Sequence, residues 1–262
     1  MTKLVAVDMD GTFLRSDMTY DEALFAKLHE RMLDLGVQFV CASGNQYFQL
    51  QSFFTKYPDV IYVAENGAYI RSRERVLKVY AFNAAVVAQI LTALRSVADI
   101  KLLVCGQNSA YAESTMDPDH VEFMRNYYHE LEVIDSFDHI DDAILKFAIS
   151  CPPEQTAAIV ATLEHKLGAL ADVTSSGHGD IDIIQPGLNK AAGLKELGQL
   201  LHIDLSDMMA FGDGGNDLEM IREVGTGVAM ANAQPDVKAV ADAETSDNET
   251  QGVLAYLAAH LE

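Results

Sequence analysis

The chain has 262 residues, 49% hydrophobic and 22% charged, the balance of a folded globular protein with a sizeable core and not of a disordered one. Asp and Glu number 39 against 18 Lys and Arg, for a formal net charge of −21. That excess argues against a sequence-independent hold on nucleic acid or an anionic membrane, both of which need clustered cations; it leaves room for a phosphorylated ligand, because a divalent cation inverts the local field.

The first apolar run, Leu4–Val7, stops at Asp8. It is too short for the apolar region of a signal peptide and reads as a buried parallel strand. Glu22–Leu35 has apolar residues at helical spacing, with Gly36 as C-cap. Residues 37–41 read as a second strand, then Ser43-Gly44 and a helix through residue 53, then a third strand over 60–64. This β-α-β-α-β order implies a parallel sheet with right-handed crossovers. Asn66-Gly67 and the apolar stretches 68–70 and 76–79 suggest a hairpin region.

After residue 82 the pattern changes. Residues 84–98 read as a helix, 100–105 and 109–112 as paired strands, Asp117-Pro118 as a helix start, 144–150 as a strand, 154–167 as a helix and 181–184 as a strand. The stretch 84–105 is broken by Gln89, Arg95, Asp99 and Lys101, so no membrane span is visible. From Asn189 the first pattern resumes: a helix to about residue 201, a strand over 208–211, a Gly-rich turn, a helix to 224, a strand over 227–230, and helices near Pro235 and Thr250. The expected fold is α/β: a Rossmann-like parallel-sheet core from residues 1–82 and 188–262, interrupted by an α+β unit over 83–187. Cys41, Cys105 and Cys151 form no CxxC, which suits a reducing cytoplasm. The eight histidines show no HExxH or other zinc spacing.

Four segments have the composition of a reactive site. Asp8-Met9-Asp10-Gly11-Thr12 sets two carboxylates two apart at the C-terminal end of a strand, the edge where open α/β sheets bind ligands. Such a pair can divide labour between an ionised nucleophile and a protonated acid; a plain strand-end turn is the competing reading. A calcium loop counted from Asp8 fails at Thr12, Phe13 and Thr19. Gly212-Asp213-Gly214-Gly215-Asn216-Asp217 suggests a hard-cation site, or a Gly-rich turn capped by Asn216 or Asp217. As a dinucleotide fingerprint it fails at Asp217, and Gly177-His178-Gly179 fails at Asp182. Ser43-Gly44-Asn45 offers a hydroxyl and amides at a helix start, an anion site or an ordinary N-cap. Lys190 opens a helix, where its charge opposes the dipole, so a purely structural role is less attractive than for most lysines.

In this order the four segments resemble the haloacid dehalogenase superfamily of phosphotransferases, and the inserted unit resembles the α/β cap of its Cof-type sugar phosphatases. The resemblance spans the chain. It implies a Mg²⁺-dependent phosphomonoester hydrolase acting on small phosphorylated metabolites, most of all sugar phosphates, with ribityl or flavin-related phosphates as an alternative. It implies Asp8 as nucleophile and Asp10 as acid and base. Asp8, the Asp10 carbonyl and Asp213 would hold the ion, with Asp217 behind them or acting through water. Met9, Ser43, Gly44, Lys190 and Asn216 would bind phosphate. Asn45 stands where many relatives have Arg, and is either a neutral contact or a helix-start residue. Asp180 sits where a cap loop would reach sugar hydroxyls, or is a solvated carboxylate. A phosphomutase is the same-chemistry rival and a non-catalytic metabolite sensor the different-class rival. The absent glycine fingerprint leaves a dinucleotide oxidoreductase weakest.

Overall fold

The computed structural model of the chain describes residues 2–177 and 179–261; His178, inside one of the Gly-x-Gly segments tested above, lies outside them. In chain order the strands are β1 (Leu4–Val7), β2 (Gln38–Ala42), β3 (Ile61–Ala64), β4 (Tyr69–Ser72), β5 (Val76–Val79), β6 (Lys101–Gly106), β7 (Ala110–Glu113), β8 (Leu131–Ile134), β9 (Ile144–Ser150), β10 (Asp172–Gly177), β11 (Asp180–Ile184), β12 (Met208–Gly212), β13 (Thr226–Ala229) and β14 (Ala243–Glu244). The helices are α1 (Glu22–Leu35), α2 (Tyr47–Phe53), α3 (Ala84–Leu94), α4 (Pro118–Met124), α5 (Thr156–Leu167), α6 (Lys190–Leu201), α7 (Leu218–Glu223), α8 (Pro235–Val240) and α9 (Gly252–His260).

Two sheets carry these elements. The larger runs β14-β13-β12-β1-β2-β3-β4-β5. It is parallel from β14 to β3 and turns antiparallel at β4 and β5. β1 lies at its centre, and all four of its residues are buried, as a continuous apolar run flanked by parallel partners requires. The smaller sheet runs β10-β11-β9-β6-β7-β8 and is antiparallel except between β7 and β8.

Local chemistry sets the helix ends. The Asp21 carboxylate accepts from the Leu24 amide at the start of α1, and Gly36 closes that helix in the left-handed conformation. The expected helix over 84–98 ends at Leu94 instead. Ser96 donates its hydroxyl to the Ala93 carbonyl, and Asp99 takes φ 59°, so the backbone leaves the helix before residue 98. β8, β10 and β14 were not expected from the sequence: β8 is four residues long and only partly buried, β10 is an edge strand with exposed or half-buried residues over 172–175, and β14 is two residues long.

The core beneath the larger sheet is rich in aromatic rings. Phe13 packs edge-on against Phe25 at 5.4 Å between centroids and also meets Phe39 and Phe54. Because Met9, Phe13 and Leu14 are all fully buried or nearly so, the loop that follows β1 is anchored on both sides of Asp10. The two sheets also touch. Gln46 of the core donates to the Glu130 carbonyl at 2.7 Å and accepts from the Glu130 amide at 3.0 Å. Gln49 donates to the Asn126 carbonyl at 3.3 Å.

Candidate active site

Asp8 sits one residue beyond β1, and its amide still bonds the Phe211 carbonyl of β12 at 3.1 Å. That bond locks the ends of two neighbouring strands together and brings the 212–217 turn beside the 8–12 turn. Gly11 makes the close approach possible. It takes φ +75°, and a Cβ there would lie 2.5 Å from Asp213 Oδ2. Thr12 donates its hydroxyl to Asp213 Oδ1 at 2.8 Å, and the Asn232 amide donates to the Gly11 carbonyl at 2.7 Å.

Lys190 opens α6 behind Asn189, whose side chain accepts from the Ala192 amide at 2.8 Å. Its ammonium group is buried and donates to Asp8 Oδ1 at 2.5 Å and Asp217 Oδ1 at 2.7 Å. The other Asp217 oxygen accepts from the Asp213 and Gly214 amides at 2.9 and 3.0 Å. The fully buried Asp217 therefore holds both the lysine and the Gly-rich turn. Burial opposes the charge on Lys190, but Asp217 and Asp8 outweigh it and hold the group protonated.

One ligand atom each from Asp8, Asp213 and Asp217 lies within 4.8 Å of the other two. Burial, followed by the charge of Asp217, drives Asp8 well above the usual carboxylate range, against the pull of Lys190. The same two causes push Asp213 up to about 6. Carboxylates crowded in this way are short of positive charge, and their hard oxygens suit Mg²⁺, whose shell is completed by water and phosphate oxygens. The Asp10 side chain is held elsewhere: its Oδ2 accepts from the Asn45 amide at 2.6 Å. Burial raises Asp10 above its ordinary value, and the Asn45 bond works in the opposite direction.

Asp8, Asp10, Ser43, Gly44, Asn45, Asp180, Asp213 and Asn216 all line one cavity of about 400 Å³ between the sheets. Lys190 and Asp217 lie directly behind it. Met9 points away, with its side chain fully buried in the core, so its contribution is limited to backbone. Asn45 does not cap α2; that position belongs to Gln46, which makes no side-chain cap bond. Its amide bridges Asp10 and, at 3.0 Å, Gln49.

Several site residues were not singled out from the sequence. Lys146 of β9 is 2% exposed. Its ammonium group donates to the Gly44 carbonyl at 2.6 Å and to both Asp182 oxygens at 3.1 Å, and it lies 3.2 Å from Glu65 Oε2. Asn66 is different: Asn66-Gly67 resembles a family segment near the active site and reads equally as a hairpin turn; it takes a left-handed φ of 54° between β3 and β4, as an Asn-Gly turn allows, and its side chain donates to Asp182 at 2.6 Å. For Lys146 the usable signal was a lysine interrupting the apolar run Ile144-Leu145-Lys146-Phe147. Gln46 and Asn232 carried no signal at all.

A model of the haloacid dehalogenase-like hydrolase family matches residues 5–257. The chain is 38% identical over 253 residues to an Escherichia coli 5-amino-6-(5-phospho-D-ribitylamino)uracil phosphatase, covering 96% of this chain and 93% of that protein. It is 25% identical over 271 residues to a Bacillus subtilis phosphatase of the same name, covering 97% and 96%. Among solved structures, SMU.1108c of Streptococcus mutans superposes with a TM-score of 0.94 at 31% identity, over 100% of this chain and 99% of that one.

Proposed function

This chain belongs to the haloacid dehalogenase-like hydrolases and is a phosphatase of that type, and on that premise we propose that Asp8 takes the phosphoryl group from a small phosphorylated polyol and passes it to water. The observation that carries the reading is the meeting of Asp8, Lys190, Asp213 and Asp217 within hydrogen-bonding or ion-binding reach.

An Asp8 oxygen forms a bond to phosphorus as the bond to the leaving oxygen breaks, giving an aspartyl-phosphate. Asp10 donates its proton to that leaving oxygen. Its raised pKa supports the role, since burial keeps a proton on it closer to neutral pH. In the second half Asp10 takes a proton from the water that attacks phosphorus, which frees inorganic phosphate and restores Asp8. Lys190 holds Asp8 in position and offsets charge at the transferring group. Ser43, the Gly44 amide, the Met9 backbone and Asn216 bind phosphate oxygens. Asn45 holds Asp10 in place, and the Asp180 carboxylate faces the hydroxyls of the polyol.

A Mg²⁺ ion held by Asp8, Asp213 and the Asp10 carbonyl would supply the remaining positive charge. Asp217 backs these groups through Lys190 and the turn amides. Residues 83–187 act as a cap that excludes water and selects the leaving group. The 38% identical relative, whose name specifies a ribityl phosphate ester, supports placing this chain's substrate in the same class, ahead of hexose phosphates. The free cysteines suit a cytoplasmic protein.

Phosphate release from a panel of phosphorylated metabolites, with Mg²⁺ and with EDTA, tests the reading. Release that stops with EDTA and in Asp8→Asn is expected; undiminished turnover in Asp8→Asn contradicts it. In Asp10→Ala, kcat should fall about 10²-fold or more while KM stays within a few-fold.

A further inference from the structure

One wall of the cavity has a distinct character. α4 and the turn after it present Phe123 and Tyr127, with ring centroids 5.8 Å apart and planes at 59°. Phe123 is 56% exposed, the most exposed of the large hydrophobic side chains among the described residues. It nevertheless lines the same cavity as Asp8 and Asp10. Met124 and Tyr128, both buried, line the cavity beside Phe123 and Tyr127. The face is held in place relative to the core, because Gln49 bonds the Asn126 carbonyl and Gln46 clamps Glu130 on either side of it.

Charge narrows what this face accepts. Among the described residues lining the cavity the one cation is Lys146, and Asp182, Glu65 and the Gly44 carbonyl already surround it. Asp180, Ser150 and Thr174 also line the cavity; they suit hydroxyl donors, and the Asp180 carboxylate repels a second phosphate. Burial, with the Asp10 and Asp180 carboxylates, pushes the Tyr127 phenol up, so the aromatic face and the acid share one space.

We infer that Phe123 and Tyr127 form the specificity wall of the cavity and stack on a planar heteroaromatic ring at the far end of an uncharged leaving group. The inference rests on the phosphatase reading above and adds the residues that select the ring. A flat π-face gains from stacking whatever its edge pattern, whereas a bare polyol gains little from two aromatic rings. The hydroxyls between phosphate and ring fall to Asp180, Ser150 and Thr174.

Steady-state hydrolysis of two esters tests this: the ribitylaminouracil phosphate named for the relative, and ribitol phosphate, which lacks the ring. The wild-type protein should prefer the ring-bearing ester in kcat/KM by about tenfold or more. Phe123→Ala and Tyr127→Ala should each lower kcat/KM for it about tenfold, through KM, and leave ribitol phosphate within about twofold. Tyr127→Phe should keep the preference. Equal values for the two esters, or equal losses on both in the alanine variants, overturn the inference while leaving a working phosphatase. If the wild-type protein hydrolyses neither ester, the ribityl-phosphate reading has failed separately. Equilibrium binding of the ring-bearing ester to Asp8→Asn then decides: about tenfold weaker binding on adding Phe123→Ala supports the wall, and unchanged binding overturns it.

Discussion

Two buried lysines flank the cavity, and they differ in who surrounds them. Lys190 lies between Asp8 and Asp217, both on turns of the larger sheet. Lys146 rises from the smaller sheet and meets Asp182 of its own sheet, but also Glu65 and the Gly44 carbonyl of the other. A buried ammonium group needs compensation in either place. At Lys190 one compensating group is the proposed nucleophile, so the pair belongs to the chemistry. At Lys146 the compensation crosses between sheets, so the pair ties the smaller sheet to the turns around the site. Burial opposes the charge on Lys146, but Asp182, Tyr128 and Glu65 outweigh it and keep the group protonated.

The sharpest way to break this comparison is Lys190→Met. It leaves Asp8 and Asp217 buried without their shared cation. We expect kcat/KM to fall about 10³-fold and thermal unfolding to report a loss of about 3–5 kcal/mol. Lys146→Met should cost stability of the same order yet lower kcat/KM only about tenfold, because its effect reaches the reacting atoms through the placement of the smaller sheet. If the two variants lose activity equally, the division of roles is wrong. A double-mutant cycle between Lys146 and Asp182, read by denaturant unfolding, sharpens the point: a coupling of about 1–3 kcal/mol is expected, and simple additivity would mean the pair does not act as a unit.

A pH-dependent effect concerns Glu65. Burial pushes its carboxyl up to about 7, against the attraction of Lys146. The folded state therefore holds a proton that the unfolded state releases near its ordinary value of 4.5. This contribution to stability is fully present below that value and is lost as pH rises through about 7. Between those limits it amounts to about 3 kcal/mol at most. Unfolding measured from pH 5 to 8 should show wild-type stability declining more steeply than that of Glu65→Gln. Parallel curves would mean the carboxyl is ionised throughout.

How much of this was legible in the sequence follows the same division. Asp8, Asp10 and Asp213 stand at the ends of apolar strands beside glycines, and short turns after parallel strands leave such residues few places to go. Lys190 was legible because a lysine in the first turn of a helix works against the dipole. Lys146 and Asp182 are polar residues within strands, and an alternating pattern does not reveal that two of them meet. Their pairing is fixed by which strands neighbour each other and by how one sheet rests on the other, neither of which is local. The Gln46–Glu130 clamp is hidden for the same reason, since its partners are 84 residues apart. Asn45 was read as a phosphate contact or a helix start; its bond to Asp10 depends on the loops after β1 and β2 lying side by side.

The central claim is that Asp8 carries the phosphoryl group. Nitrophenyl phosphate has a leaving group that needs no proton, so in Asp10→Asn the first half-reaction should proceed and the second should stall. Acid-quenched samples analysed by peptide mass spectrometry should show a phosphoryl adduct on Asp8, formed in a burst with nitrophenol. A nitrophenol burst with no adduct on Asp8, or with the adduct on another residue, would contradict the account.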